Sequence, residues 1–192
     1  KRLLDELGSM LADISLASTP PETGRLIYRM VSRITDNPDP YRQLKRETTK
    51  QALELYPSLK KTIQVADDRL LTAIRIAIAG NVIDLGPSAG FDIDAALHDV
   101  MERPFATRDY EAFKMLLAKS QRVLYIGDNA GETVFDRLLI EQMNKPTVYA
   151  VRERPVINDA TYDDAVQAGL DKVATIFSSG TDATGAVIPT CS

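Results

Sequence analysis

Cysteine and histidine are nearly missing from this chain, with one of each among 192 residues, and tryptophan is absent altogether. A single cysteine, Cys191, excludes an intramolecular disulfide and any cysteine-based zinc site. It fits a reducing cytoplasm, and Cys191 itself reads as a small buried residue near an apolar terminal segment. The one histidine, His98, falls in the helical half and reads as a surface residue. That leaves no Ser-His-Asp triad and no phosphohistidine route. No apolar run is long enough to cross a membrane, because the longest, Leu70 to Leu85, is interrupted by Arg75, Asn81 and Asp84. No signal-peptide pattern opens the chain. A basic surplus is lacking too: 23 Lys and Arg against 27 Asp and Glu leave a formal net charge of −4. With no basic cluster interleaved with aromatics, nucleic acid is not an expected partner. Acidity does not exclude a phosphorylated substrate, since a bound divalent cation reverses the local field. Missing motifs narrow the field further. There is no P-loop, and no Gly-x-Gly-x-x-Gly follows a strand, so neither an ordinary nucleotidase nor a dinucleotide site is indicated. The absence of a second Asp two residues after Asp128 disfavours an aspartyl-phosphate mechanism.

What is present is an ordinary globular composition, 44% apolar and 26% charged. Residues 1–120 read as helices. Leu3, Leu4, Leu7, Met10, Leu11 and Ile14 recur at helical spacing and predict a helix over 1–16. Thr19-Pro20-Pro21-Glu22 has the form of a capping box with proline in the first turn, which predicts a helix to about Thr35. A third is expected over 40–56, stopping before Pro57. A fourth, from about Leu59 to Val82, is apolar on nearly every side in its middle and is expected to be central and buried. Gly86 to Gly90 breaks the chain, and shorter helices are expected over 92–101 and 109–119. From Gln121 the pattern becomes strand (122–126), helix (131–143), strand (147–151), helix (160–168), strand (172–177). Short connections between these elements predict a parallel sheet with right-handed crossovers. The fold class expected is α/β: a helical region over 1–120, then a Rossmann-like three-layer α/β unit with a mainly parallel sheet over 121–192. Both ends read as cut from a longer protein.

In open parallel sheets, ligands sit beyond the carboxyl ends of the strands. Three loops fall there: Gly127 to Glu132, Arg152 to Thr161, and Ser178 to Gly185. Asp128, Asn129 and Asp159 offer only oxygen, which suits a hard cation of the Mg²⁺ or Mn²⁺ kind, with Co²⁺ or Ni²⁺ as alternatives. Gly131 lets the following helix start close to an anion. Gly180, Thr181 and Asp182 place a third loop against the same anion, with Gly185 adding freedom to the backbone. Glu132 and Asn158 are candidates to orient an attacking water. Each residue also has a plainer reading: Asp128, Asn129 and Asp159 as turn or N-cap residues, Glu132 and Asp136 as an acidic first turn. Asn81 reads as a helix C-terminal cap or as a residue reaching the same pocket.

The run Val123 to Asp136, with Gly-Asp-Asn-Ala-Gly-Glu at its centre, resembles the signature of the metal-dependent damage-control phosphatases, long known as domain-of-unknown-function family 89. Val151 to Thr161, followed by Asp163-Asp164-Ala165 and Gly169, resembles that family's second motif, and Ala79 to Asp84 a third. The likeness is to the archaeal and bacterial branch. It implies a cytoplasmic phosphatase acting on small phosphorylated metabolites, sugar phosphates or damaged phosphometabolites, with a divalent metal held by Asp128, Asn129 and Asp159. It also implies an N-terminal cysteine pair and a C-terminal Lys-Gly motif, neither found in these 192 residues, so a fragment that binds metal but turns over weakly is expected. Two alternatives stand beside it, an S-adenosylmethionine-dependent carboxyl methyltransferase and a non-catalytic metal- or metabolite-binding module. Substrate, preferred metal and oligomeric state are not readable from the sequence.

Overall fold

The computed structural model describes residues 1–83, 100, 101, 103–105 and 109–191. Its helical region comprises α1 (Arg2–Leu11), α2 (Pro20–Thr35), α3 (Arg42–Val65), α4 (Arg69–Ile83) and α5 (Tyr110–Lys119). The alternating region follows as β1 (Val123–Ile126), α6 (Thr133–Met143), β2 (Thr147–Val151), α7 (Tyr162–Gln167) and β3 (Thr175–Ser178). The break at Gly86 to Gly90, His98 and most of the helix expected over 92–101 lie outside the described residues.

Local chemistry explains the boundaries. α2 opens with the capping box read from the sequence: the Thr19 backbone N–H and hydroxyl both donate to the Glu22 carboxylate, at 2.7 and 2.8 Å. α1 stops short of Ile14, because Ser15 Oγ accepts the Ala17 N–H at 3.1 Å and favours a turn over helix. α3 runs straight through Pro57, where a helix end was expected. An interior proline costs roughly 3 kcal/mol. Burial of Leu59 and Ile63, at 6% and 1% exposure, offsets that. The true break comes at Asp67-Asp68, where Asp68 Oδ1 accepts the Leu71 N–H at 3.0 Å and caps α4.

α4 is the central helix expected. Ala73, Ile76 and Ala79 are at most 1% exposed, and Ala73 and Ile76 share one core with Val134, Phe135 and Leu138 of α6. Gly80 lets the two helices close up: a Cβ there would lie 2.7 Å from Phe135 Cγ. The three strands are parallel in the order β1-β2-β3, with Tyr125 beside Tyr149 and Val151 beside Ser178. Two parallel connections between successive neighbours, if both take the usual right hand, carry α6 and α7 over the same face. Tyr125 and Tyr149 point to that helical layer, while Leu124, Ile126 and Phe177 are exposed on the opposite face. β3 starts later than predicted, since Gly169 at φ 78 leads into a 3-10 turn, Leu170–Lys172, that buries Leu170 completely. Cys191, expected to be buried, is exposed.

Candidate functional site

All three strands end at one edge of the sheet, so the loops after Ile126, Val151 and Ser178 emerge side by side. The first two are joined by backbone. Ala130 N–H donates to Asn158 C=O at 2.8 Å, and Ala160 N–H donates to Asp128 C=O at 2.6 Å. These bonds flank an antiparallel bridge between Asn129 and Asp159. A pair flanked in this way is the close, non-hydrogen-bonded kind, with Cα atoms about 4.5 Å apart. Three residues from two loops, chosen from the sequence for their oxygen chemistry, are thus brought together by main chain alone. Ile157 sits at φ 39, a left-handed conformation that a β-branched residue adopts at a cost of order 1 kcal/mol or more. The turn it forms, with Asp159 N–H on Val156 C=O at 3.1 Å, presents Asn158 and Asp159 to the first loop.

The side chains are oriented with equal care. Asn129 Nδ2 donates to Glu132 Oε1 at 2.8 Å, which leaves its amide oxygen as the donor atom for a cation. Asn81 Nδ2, from α4, donates to the same Glu132 oxygen at 2.9 Å. Of the two readings of Asn81, the structure gives it a side-chain bond to the site. Glu132 is therefore buttressed from α4 rather than exposed in an acidic first turn. Arg152 is the residue that sequence reading passed over. Its Nε donates to Asp159 Oδ2 at 2.7 Å and its terminal nitrogen reaches Asp128 Oδ1 at 3.4 Å. Its position immediately after β2 was the available signal.

Electrostatics identify what the site wants. Burial is the first reason that Asp159 is pushed up to about 6, and the nearby charges of Asp128 and Glu132 push the same way against Arg152. Burial likewise raises Glu132. Asp136, buried below the loop, is pushed up to about 6 for the same primary reason. The Asp128 side chain is 54% exposed, open to a ligand. Carboxylate oxygen is in excess around one cationic side chain, and Asp128, Asn129 and Asp159 are hard oxygen donors of the type a divalent cation takes. Among the described residues no set of three or more His, Cys, Asp or Glu is gathered so as to hold a metal ion.

The third loop is docked on α2. Both Asp182 oxygens are held by arginines of that helix, Arg25 Nε at 2.5 Å and Arg29 Nε at 2.6 Å. Thr181 is 1% exposed, and its hydroxyl oxygen accepts the Ala183 N–H at 3.2 Å. Gly180 takes the left-handed conformation, φ 74, and its N–H donates to Ser178 Oγ at 3.1 Å. Gly131, at the start of α6, is buried between the first loop and the helix. Sequence separation hid the α2 contribution, since Arg25 and Asp182 lie 157 residues apart.

Comparison with known proteins follows the same residues. The chain is 32% identical over its whole length to an uncharacterized protein of Methanocaldococcus jannaschii, of which it spans 66%. It is 32% identical over 84% of its length to a damage-control phosphatase of Archaeoglobus fulgidus, spanning 58% of that protein. The crystal structure of a DUF89 family protein from Pyrococcus horikoshii superposes on all of the chain with a TM-score of 0.88 at 28% identity, the chain covering 68% of it. The chain thus spans about two thirds or less of these relatives. Residues 1–192 match the damage-control phosphatase ARMT1-like domain throughout, and the chain belongs to that family.

Proposed function

We propose that this chain carries the metal- and phosphate-binding part of a metal-dependent phosphatase that hydrolyses phosphate esters of small metabolites. Sugar phosphates and damaged phosphometabolites are the substrate classes. The observation that carries the reading is the backbone pairing of Asn129 with Asp159, which sets two carboxylates and an amide oxygen at the open end of a parallel sheet. A relative named as a damage-control phosphatase supports the same activity. A hard divalent cation held by Asp128, Asn129 and Asp159, of the Mg²⁺, Mn²⁺, Co²⁺ or Ni²⁺ kind, supplies charge neutralisation for a transferring phosphoryl group.

The chain's own residues do the rest. Glu132 fixes the Asn129 amide and, raised by burial, is suited to take a proton from an attacking water. Asn158, in the same turn as Asp159, is the other candidate to orient that water. Arg152 offers a cation beside the two carboxylates and limits their repulsion. Gly131 brings the N-terminal N–H groups of α6 near a phosphate. Asp182 acts through its partners: a carboxylate repels phosphate, but here it anchors Arg25 and Arg29 beside the Gly180-Thr181 loop. The test is phosphate release from a panel of sugar phosphates and other phosphometabolites, with each metal and with EDTA. Asp128→Ala is expected to lower metal-dependent turnover at least 100-fold, with unchanged circular dichroism, because the side chain is largely exposed. Equal activity in that variant removes Asp128 from the mechanism.

A further inference from the structure

Beneath the first loop lies a polar cluster to which the reading above gives no part. Tyr125 on β1 and Tyr149 on β2 are paired in register and stack with ring centroids 5.3 Å apart. Both hydroxyls donate to one carboxylate, that of Asp136 on α6, each at 2.5 Å and each to its own oxygen. Tyr149 is completely buried. Its hydroxyl end lies directly under Gly127: a Cβ at that position would sit 2.4 Å from Tyr149 Oη and 2.5 Å from Cε1 and Cζ. The loop's far end is fixed independently, by the Thr133 hydroxyl donating to Ala130 C=O at 2.5 Å.

A buried carboxylate with two phenols is a poor choice if packing is the only requirement, since apolar rings of the same shape carry no desolvation cost. What the hydroxyl adds is a fixed ring position. Its bond to Asp136 ties β2 to the first turn of α6, which is the element the loop leads into. Gly127, with no side chain, then rests on that ring, and Asp128 and Asn129 follow directly. We propose that Tyr149, braced by Asp136, is a positioning residue that sets the height of the Gly127–Asn129 loop and so the spacing of the Asp128, Asn129 and Asp159 oxygens. This inference rests on the metal-site reading above.

Tyr125 provides the internal control, because it donates to the same carboxylate while the three atoms nearest a Cβ at Gly127 all belong to Tyr149. The experiment is calorimetric titration of the whole chain with Mn²⁺, alongside Tyr149→Phe and Tyr125→Phe. Tyr149→Phe is expected to weaken Mn²⁺ binding about tenfold, as loss of an outer support does in other metal sites. Tyr125→Phe is expected to stay within about twofold of the unaltered chain while losing thermal stability. In the phosphatase assay, the half-saturating Mn²⁺ concentration should rise for Tyr149→Phe, with KM for the phosphoester unchanged at saturating metal. Equal shifts in the two variants, or none in either, overturn the positioning role and leave the site reading intact. No Mn²⁺ binding by the unaltered chain overturns both together. If Tyr149→Phe fails to fold, Gly127→Ala carries the test, with a tenfold loss supporting the role and unchanged affinity overturning it.

Discussion

Arg152 holds two carboxylates at once, and the consequence of removing it depends on what charge is left behind. Asp159 is nearly inaccessible, with a side chain 3% exposed, and it is ion-paired with the Arg152 guanidinium at 2.7 Å. Taking the guanidinium away strands a buried carboxylate, which costs about 3 kcal/mol or more. Arg152→Gln is therefore expected to lower stability by that amount in urea melts with EDTA, and by clearly less in saturating Mn²⁺, which restores positive charge. An equal loss in both conditions would show that the guanidinium and the metal do not share the carboxylates. Asp136 makes a prediction of opposite character. Burial raises it from 3.8 to about 6, so the folded state holds the proton more tightly than the unfolded chain does. Its neutral form contributes stability that is complete below about pH 4 and lost as the pH rises through about 6, up to roughly 3 kcal/mol. The melting temperature of the unaltered chain should fall relative to Asp136→Asn between pH 4 and pH 7, and parallel profiles would refute this. The meeting of the Asp128-Asn129 and Asp159 loops was legible because strand ends in a parallel sheet are a local signal. Arg152, Arg25 and Arg29 were not, because an arginine's importance here lies in partners that only the folded chain brings within reach.

At the level of elements, what sequence revealed and what it hid divide along the same line. The Thr19–Glu22 capping box is complete within four residues and was read from them; a second one at Thr161, where the N–H and hydroxyl donate to Asp164 at 2.9 and 2.6 Å, went unread although it is just as local. The α3–α4 boundary is not. Pro57 argues for a stop, and only the burial of Leu59 and Ile63 against other elements keeps the helix going. Gly80 poses the same contest between local and tertiary terms. By propensity alone, Ala in place of this helical glycine gains about 1 kcal/mol. Yet its Cβ would lie 2.7–2.9 Å from three atoms of Phe135, itself fixed in the core at 1% exposure. Overpacking of that kind costs about 1–3 kcal/mol. Gly80→Ala is therefore expected to be net destabilising by about 1 kcal/mol. Adding Phe135→Leu should reverse the sign of the alanine's effect, which thermal melts of the four-member cycle would measure. A stabilising Gly80→Ala in the unaltered background would mean that α4 and α6 have room to part.

For the whole molecule, the decisive feature is that the site belongs to no single element. Asp128 and Asn129 follow β1, Asp159 follows β2, Asn81 reaches in from α4, and α2 grips the loop after β3. Such an arrangement exists only when sheet and helices are assembled, so a ligand of the site binds the folded chain and not the unfolded one. Stabilisation then follows from mass action: about 2.7 kcal/mol at a free metal concentration 100 times Kd. In a chain of this size each kcal/mol shifts Tm by about 2–4 °C, which predicts a rise of about 5–10 °C. Mn²⁺ should produce that shift at hundredfold saturation, EDTA should abolish it, and Asp128→Ala should lose most of it. Binding confined to exposed surface carboxylates would behave differently, because those are present in the unfolded chain as well and give little net shift. A full rise that survives Asp128→Ala would place the metal elsewhere on the molecule, and a rise that vanishes with Asp128 would tie the fold's stability to the loops that carry its chemistry.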